Sequence, residues 1–284
     1  MLLLMTNLGF LAAFGTALCW GSYMVPFKKS ESSNIIQFQT LIAVSIGFSG
    51  LIISIILGYP LTLNAYGLMS GALWAIANAI SFIAIIDLGL SRAVPLMGSL
   101  VVIFSFLWGA LFFHEMPAGL TMGFLGIGLI VAGVILVSST ENMESRKIKK
   151  GLSAGICAGL IWGSQLVPLK VGNVSTGDFF FPVCLGILLT GLLIAAIKRI
   201  KFKNEAIAFS LTSGIIWNIG NLLSLISLSL IGLSKAGPTS QISSLVAVLW
   251  GLFYFKEIKE RKAKLQVLVG AFILLAGVVT LGFA

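Results

Sequence analysis

The sequence predicts an all-α membrane protein with ten transmembrane helices arranged as an inverted 5+5 structural repeat, and three observations carry that prediction. Of the 284 residues, 58% are hydrophobic and 10% charged, against about 25% charged in a soluble domain. Mean hydropathy is +1.08. The apolar residues form continuous blocks of about 20, the length of helix that crosses the hydrocarbon of a bilayer. The second half of the chain repeats the first at a nearly constant offset. Intrinsic disorder, a coiled coil, a disulfide scaffold and a soluble enzyme are excluded.

Cutting at charges, prolines and polar clusters places the spans at residues 8–27, 37–57, 66–87, 93–113, 119–138, 152–170, 179–197, 207–229, 236–255 and 265–283. The blocks are continuous rather than alternating, so helices are expected. A lone segment in lipid must satisfy its own backbone groups. The first block has no basic leader and recurs later in the chain, so it reads as a retained span, not a signal peptide. Residues 138–150 are a linker, and no water-soluble domain fits between the spans.

The repeat is read from motifs. Trp20-Gly-Ser-Tyr-Met-Val-Pro-Phe-Lys28 returns as Trp162-Gly-Ser-Gln-Leu-Val-Pro-Leu-Lys170, a shift of 142. Gly89-Leu-Ser-Arg-Ala-Val-Pro95 returns as Gly232-Leu-Ser-Lys-Ala-Gly-Pro238, a shift of 143, and Ala132-Gly133-Val134 as Ala276-Gly277-Val278, a shift of 144. The six tryptophans pair as Trp20/Trp162, Trp74/Trp217 and Trp108/Trp250. Two five-helix units follow, residues 1–145 and 146–284.

Because five is odd, the second unit is expected upside down relative to the first. Of the 18 Lys and Arg, all but Lys170 and Lys235 fall on the side opposite the N-terminus. Loops rich in Lys and Arg stay cytoplasmic, so both termini are expected outside a cell membrane. The net charge of +9 is explained by orientation and calls for no nucleic-acid partner. Cys19, Cys157 and Cys184 lie inside apolar blocks, away from any metal-cluster or disulfide pattern.

Inverted repeats are the architecture of secondary transporters, with substrate held near the midplane between the units. Trp20, Trp74 and Asn78 fall near span centres, and Trp74 and Asn78 are i, i+4 neighbours on one helical face. Trp217 and Asn221 repeat that spacing, and Trp162 repeats Trp20. Tryptophan usually sits at membrane interfaces, and a buried amide needs partners. An indole face stacking on sugar C–H groups beside an amide that bonds hydroxyls suits a neutral polyol. The competing reading is that the two asparagines join helices and the tryptophans fill space.

Small residues recur every fourth position at Gly9, Ala13, Ala17, Gly21 and at Gly151, Gly155, Gly159, Gly163, which lets helices approach closely. Pro26 and Pro168 end or kink the same two spans, or free carbonyls for a ligand. No acid stands at a span centre. Asp87 closes the third span, as a coupling acid or as the partner of Arg92. Glu115 and Glu257 close the fourth and ninth at equivalent positions, and His114 is interfacial. Lys28 and Lys170 either snorkel or gate. No His-based triad, multi-His metal site or phosphate-cradling loop is present, so the chain is expected to be no enzyme and to need no cofactor. An ion gradient, with the proton as coupling ion, or the substrate itself is then the driving force.

Ten spans in this arrangement resemble the drug/metabolite transporter superfamily. Tyr23-Met-Val-Pro-Phe-Lys-Lys29, Gly71-Ala-Leu-Trp-Ala-Ile-Ala-Asn78 and Leu88-Gly-Leu-Ser-Arg92 resemble its glucose/ribose/rhamnose porter group, including the bacterial glucose uptake proteins and L-rhamnose–proton symporters. The resemblance implies proton-coupled monosaccharide uptake at the cell membrane, and points to Trp20, Pro26, Lys28, Trp74, Asn78, Asp87 and Arg92. Export or exchange of amino acids or other metabolites is the alternative within the same superfamily. Membrane lipid, a sugar and a second copy of the chain in a homodimer are the expected partners.

Overall fold

A computed structural model describes residues 2–30, 34–113, 120–138, 145–202, 204, 207–231, 239–240 and 242–282. The described residues are helical, with turns and short irregular joints between helices. The long helices are α1 (Leu2–Ser22), α3 (Ile35–Leu57), α4 (Ala65–Leu88), α5 (Leu90–Leu107), α6 (Leu120–Ser138), α7 (Ser145–Ser164), α9 (Thr176–Ile197), α10 (Ile207–Ile231) and α12 (Arg261–Gly282). Three short helices complete the set, α2 (Val25–Lys29), α8 (Val167–Val171) and α11 (Ser243–Leu249). Among the described residues, eight helical segments are long and apolar enough to cross a membrane, and Thr121–Val137 and Ser243–Tyr254 are shorter apolar helices. The chain is a multi-pass, all-helical membrane protein.

The expected first and sixth spans are each broken near the end. α1 gives way to α2 across Tyr23 and Met24, and α7 to α8 across Gln165 and Leu166. Pro26 and Pro168 stand in the first turn of the short helices, where a missing N–H costs nothing. A proline there cannot bond back to the carbonyl four residues earlier, which favours a break or kink at that point. The fourth and ninth helices also share an irregularity. α5 runs into one π turn, Trp108–Phe112, and α11 into another, Trp250–Tyr254. Each irregularity therefore recurs 142 residues later in the chain.

Caps define several helix ends. Asn34 and Asn64 accept from the backbone N–H three residues on, at 3.0 and 2.7 Å, opening α3 and α4. Ser175 opens α9, its hydroxyl bonded to the Asp178 carboxylate at 2.6 Å. α4 and α5 are joined by Gly89 alone, whose φ of 81° is open to glycine and strained for other residues.

Helices from the two parts of the chain pack in exchanged pairs. α1 lies against α10 and α4 against α7. α4 lies against α9 and α3 against α10. α5 packs on α7 and α1 on α11, while α3 meets α9 and α6 meets α12. The small-residue stripe of α7 seats on the α4 end and α5, with Gly151 against Leu88, Gly155 against Leu96, Gly159 against Leu100 and Gly163 against Phe104. On α1, Gly9 meets Ile231 of α10 and Gly21 meets Val246 of α11. Both stripes bring helices into close contact.

The tightest backbone approach lies between α4 and α9, where a methyl on Gly71 would stand 2.2 Å from the Val183 carbonyl oxygen. Gly71→Ala should therefore lower stability by about 1–3 kcal/mol through overpacking. Gly128→Ala, with nothing within 4 Å of the added atom, should leave it unchanged or raise it by up to about 1 kcal/mol through helix propensity. Thermal unfolding of both variants in the same detergent checks the contrast.

Candidate functional site

Trp74, Asn78 and Phe82 are spaced i, i+4, i+8 and so share one face of α4. All three are buried, and each meets a different layer of neighbours. Trp74 touches Trp217 of α10, ring centroids 4.4 Å apart and planes at 50°. This contact joins α4 to α10 near the middle of both helices.

One turn on, Asn78 is fully engaged. Its Oδ1 accepts from the Tyr23 hydroxyl at 3.0 Å, and its Nδ2 donates to Gln39 Oε1 at 2.6 Å. The chain Tyr23–Asn78–Gln39 thus ties the break after α1 to α4 and α3. Gln39 is buried with its second amide position unpaired among the described residues. The indole N–H groups of Trp20 and Trp162 are likewise buried without a partner. Trp20 packs against Gly220, one turn from Trp217 on α10.

A further turn along α4, Phe82 meets Phe27 of α2 at 4.1 Å and Phe38 of α3 at 5.6 Å, and Phe27 and Phe38 lie 5.0 Å apart. These three buried rings close the interior beneath the polar layer. Beyond them, Lys28 forms an ion pair with Glu257 and lies over the Phe255 ring, 5.2 Å from its centroid. Glu257 also accepts from Leu90 N at 2.7 Å, Ser91 N at 2.8 Å and the Ser91 hydroxyl at 2.5 Å. A carboxylate there satisfies otherwise unpaired N–H groups and meets the positive end of the α5 dipole. Burial alone would push the Glu257 carboxyl up, but the Lys28 ammonium and the Ser91 donors outweigh it and hold the group below its usual range.

The other end repeats part of this pattern. Trp250 Nε1 donates to the Ser22 hydroxyl at 2.9 Å, and Trp108 Nε1 to the Ser164 hydroxyl at 2.8 Å. Lys170 lies over the Phe113 ring at 4.7 Å, as Lys28 lies over Phe255. Asn221 is half-buried. The buried amide on α10 is instead its neighbour Asn218, which donates to Ser49 Oγ at 2.8 Å and to the Ile46 carbonyl at 3.3 Å.

Asp87 does not meet Arg92. Its carboxylate lies 3.3 Å from the Lys150 ammonium at the start of α7, out of hydrogen-bonding alignment. Arg92 is buried at the first turn of α5 and engaged in interactions of its own. His114, Glu115, Lys235 and the 232–238 turn lie outside the described residues.

The sequence singled out the tryptophans, Asn78 and Lys28 as candidates, and did not single out Gln39, Asn218 or the phenylalanine triad, nor a role for Tyr23. A glutamine inside an apolar block was the available signal for Gln39. The triad carried none, since three phenylalanines among 20 look alike until packed.

The lowered Glu257 pKa makes a signed prediction. A carboxyl depressed on folding stabilises above its unfolded pKa and loses that contribution as pH falls through the folded value. The thermal-stability gap between the parent protein and Glu257→Gln should therefore be constant above about pH 5 and shrink below the ordinary glutamate value of about 4.3. A pH series of melting curves measures it.

The family described as sugar transport protein matches residues 11–284. The chain is 25% identical to the glucose uptake protein GlcU of Bacillus subtilis, over 96% of this chain and 98% of that protein. It is 27% identical to the GlcU protein of Staphylococcus epidermidis, over 96% and 97%. A crystal structure 14% identical superposes with a TM-score of 0.64, covering 96% of this chain and 95% of its own, and shares the fold. The chain belongs to the sugar transport protein family.

Proposed function

We propose that the protein is a secondary active transporter that imports a monosaccharide (glucose-like, ribose or rhamnose) by proton symport with alternating access. The two units, residues 1–145 and 146–284, form an inverted 5+5 repeat with both termini outside. The observation that carries this reading is the Trp74–Trp217 contact at 4.4 Å. On this reading the two indoles stand where the units meet, one turn from an amide held in a fixed orientation. Sugars offer a C–H face for the indoles and hydroxyls that both donate and accept. That duality suits Gln39, whose unpaired amide nitrogen can donate to a hydroxyl. The unpaired indole N–H groups of Trp20 and Trp162 add two donors at repeat-equivalent positions.

The exchanged helix pairs and the irregularities recurring at a shift of 142 support the repeat. The asymmetric distribution of Lys and Arg supports the orientation. Substrate near the midplane and rocking of one unit against the other then follow from the architecture. Sugar specificity rests on the names of the relatives as glucose uptake proteins. Asp87, buried beside a solvent-reaching Lys150, is the carboxylate assigned to coupling, with Arg92 close by in sequence and Lys28 and Lys170 as gating cations.

Purified protein in liposomes, given an inward-directed proton gradient and labelled glucose, ribose or rhamnose, tests the reading. One sugar should accumulate, and a protonophore should collapse the accumulation. Asp87→Asn should keep counterflow of that sugar and lose pH-driven accumulation. No accumulation of any of the three by folded protein contradicts the reading.

A further inference from the structure

We propose that α2 is a hinged gate on the cation-rich face, turning about the Tyr23–Met24 break as one body and withdrawing Phe27 and Lys28 together. The idea deepens the alternating-access reading above by naming the moving part. α2 spans only Val25–Lys29, and Pro26 in its first turn removes the backbone donor that would bond back to the Ser22 carbonyl of α1. Both residues that close this end belong to it. Phe27 completes the triad with Phe38 and Phe82, and Lys28 completes the ion pair with Glu257. One rotation therefore breaks both contacts.

Release is inexpensive on each side of the ion pair. Glu257 keeps its three donors from Leu90 and Ser91 after Lys28 leaves, so no buried carboxylate is stranded. The Lys28 side chain is already 24% exposed and reaches water by a short swing, as long basic side chains do at membrane boundaries. Closure in turn puts Phe27 over the polar layer of Asn78 and Gln39 and removes it from water. At the other end α8 has the same length, the same early proline and a lysine over a ring. It is the counterpart that moves when the opposite face opens.

The test uses Ser81→Cys as reporter. Ser81 is buried on α4 between the Asn78 and Phe82 layers, its hydroxyl bonded to the Asn78 carbonyl. The reporter is placed in a chain whose three native cysteines are alanine, reconstituted in vesicles and exposed to a membrane-impermeant thiol reagent from either face. The parent should be protected from the cation-rich face. Lys28→Met should raise labelling from that face about tenfold, a population shift of the size one broken contact allows, and leave the other face unchanged. Glu257→Gln should do the same, and Lys28→Met keeps the test valid if loss of the α5 cap impairs folding in Glu257→Gln. Labelling at the parent level in Lys28→Met, or a rise from both faces together, overturns the proposal. The readout needs no sugar, so a one-sided rise without sugar flux counts against the substrate reading and leaves the gate standing.

Discussion

Hydrocarbon offers no water to a polar group, so every amide, hydroxyl and carboxylate the chain takes into the membrane must find a partner inside the protein. The interior depends on that constraint. The buried amides sit where helices from different parts of the chain cross. Asn78 reaches Tyr23 and Gln39, and Asn218 reaches Ser49 and Ile46. The carboxylate of Glu257 sits where a helix start provides free N–H groups. Among the described residues, what stays unpaired is confined to a few groups, including the Gln39 amide nitrogen and the Trp20 and Trp162 indoles.

Positions related by the sequence offset of 142–143 residues have diverged. Tyr23, Gln39 and Asn78 correspond by offset to Gln165, Phe181 and Asn221; Phe27, Phe38 and Phe82 correspond to Leu169, Phe180 and Leu225. The first set makes a continuous polar layer backed by three packed rings. The second set has one phenylalanine in place of the three, and its Phe180 packs on Tyr59 instead.

Much of this was readable before folding. Block length and charge set the spans, because the bilayer imposes a single length on every helix. The Trp-Gly-Ser-x-x-Val-Pro-x-Lys motif marked both helix breaks, since its proline removes a backbone donor whatever packs around it. Trp74 and Asn78 were placed on one face by spacing alone. Partner choice was less legible. Asp87 was expected beside Arg92 on sequence proximity, yet the α4–α7 crossing brings Lys150 to it. Glu257 looked like one more span-end acid until the exchanged packing carried it to the start of α5. Contacts of this kind depend on which helices cross, and a single sequence does not encode that locally.

The central claim is that the Trp74–Trp217 contact is the platform on which a monosaccharide binds between the two units. Equilibrium binding of glucose, ribose and rhamnose to the purified protein, followed by intrinsic tryptophan fluorescence and calorimetry, addresses it most directly. The account predicts saturable binding of at least one sugar. It also predicts that Trp74→Leu and Trp217→Leu each weaken that binding about tenfold or more, or about 1.4 kcal/mol, in protein whose melting temperature shows it folded. Unchanged sugar affinity in both folded variants would contradict it.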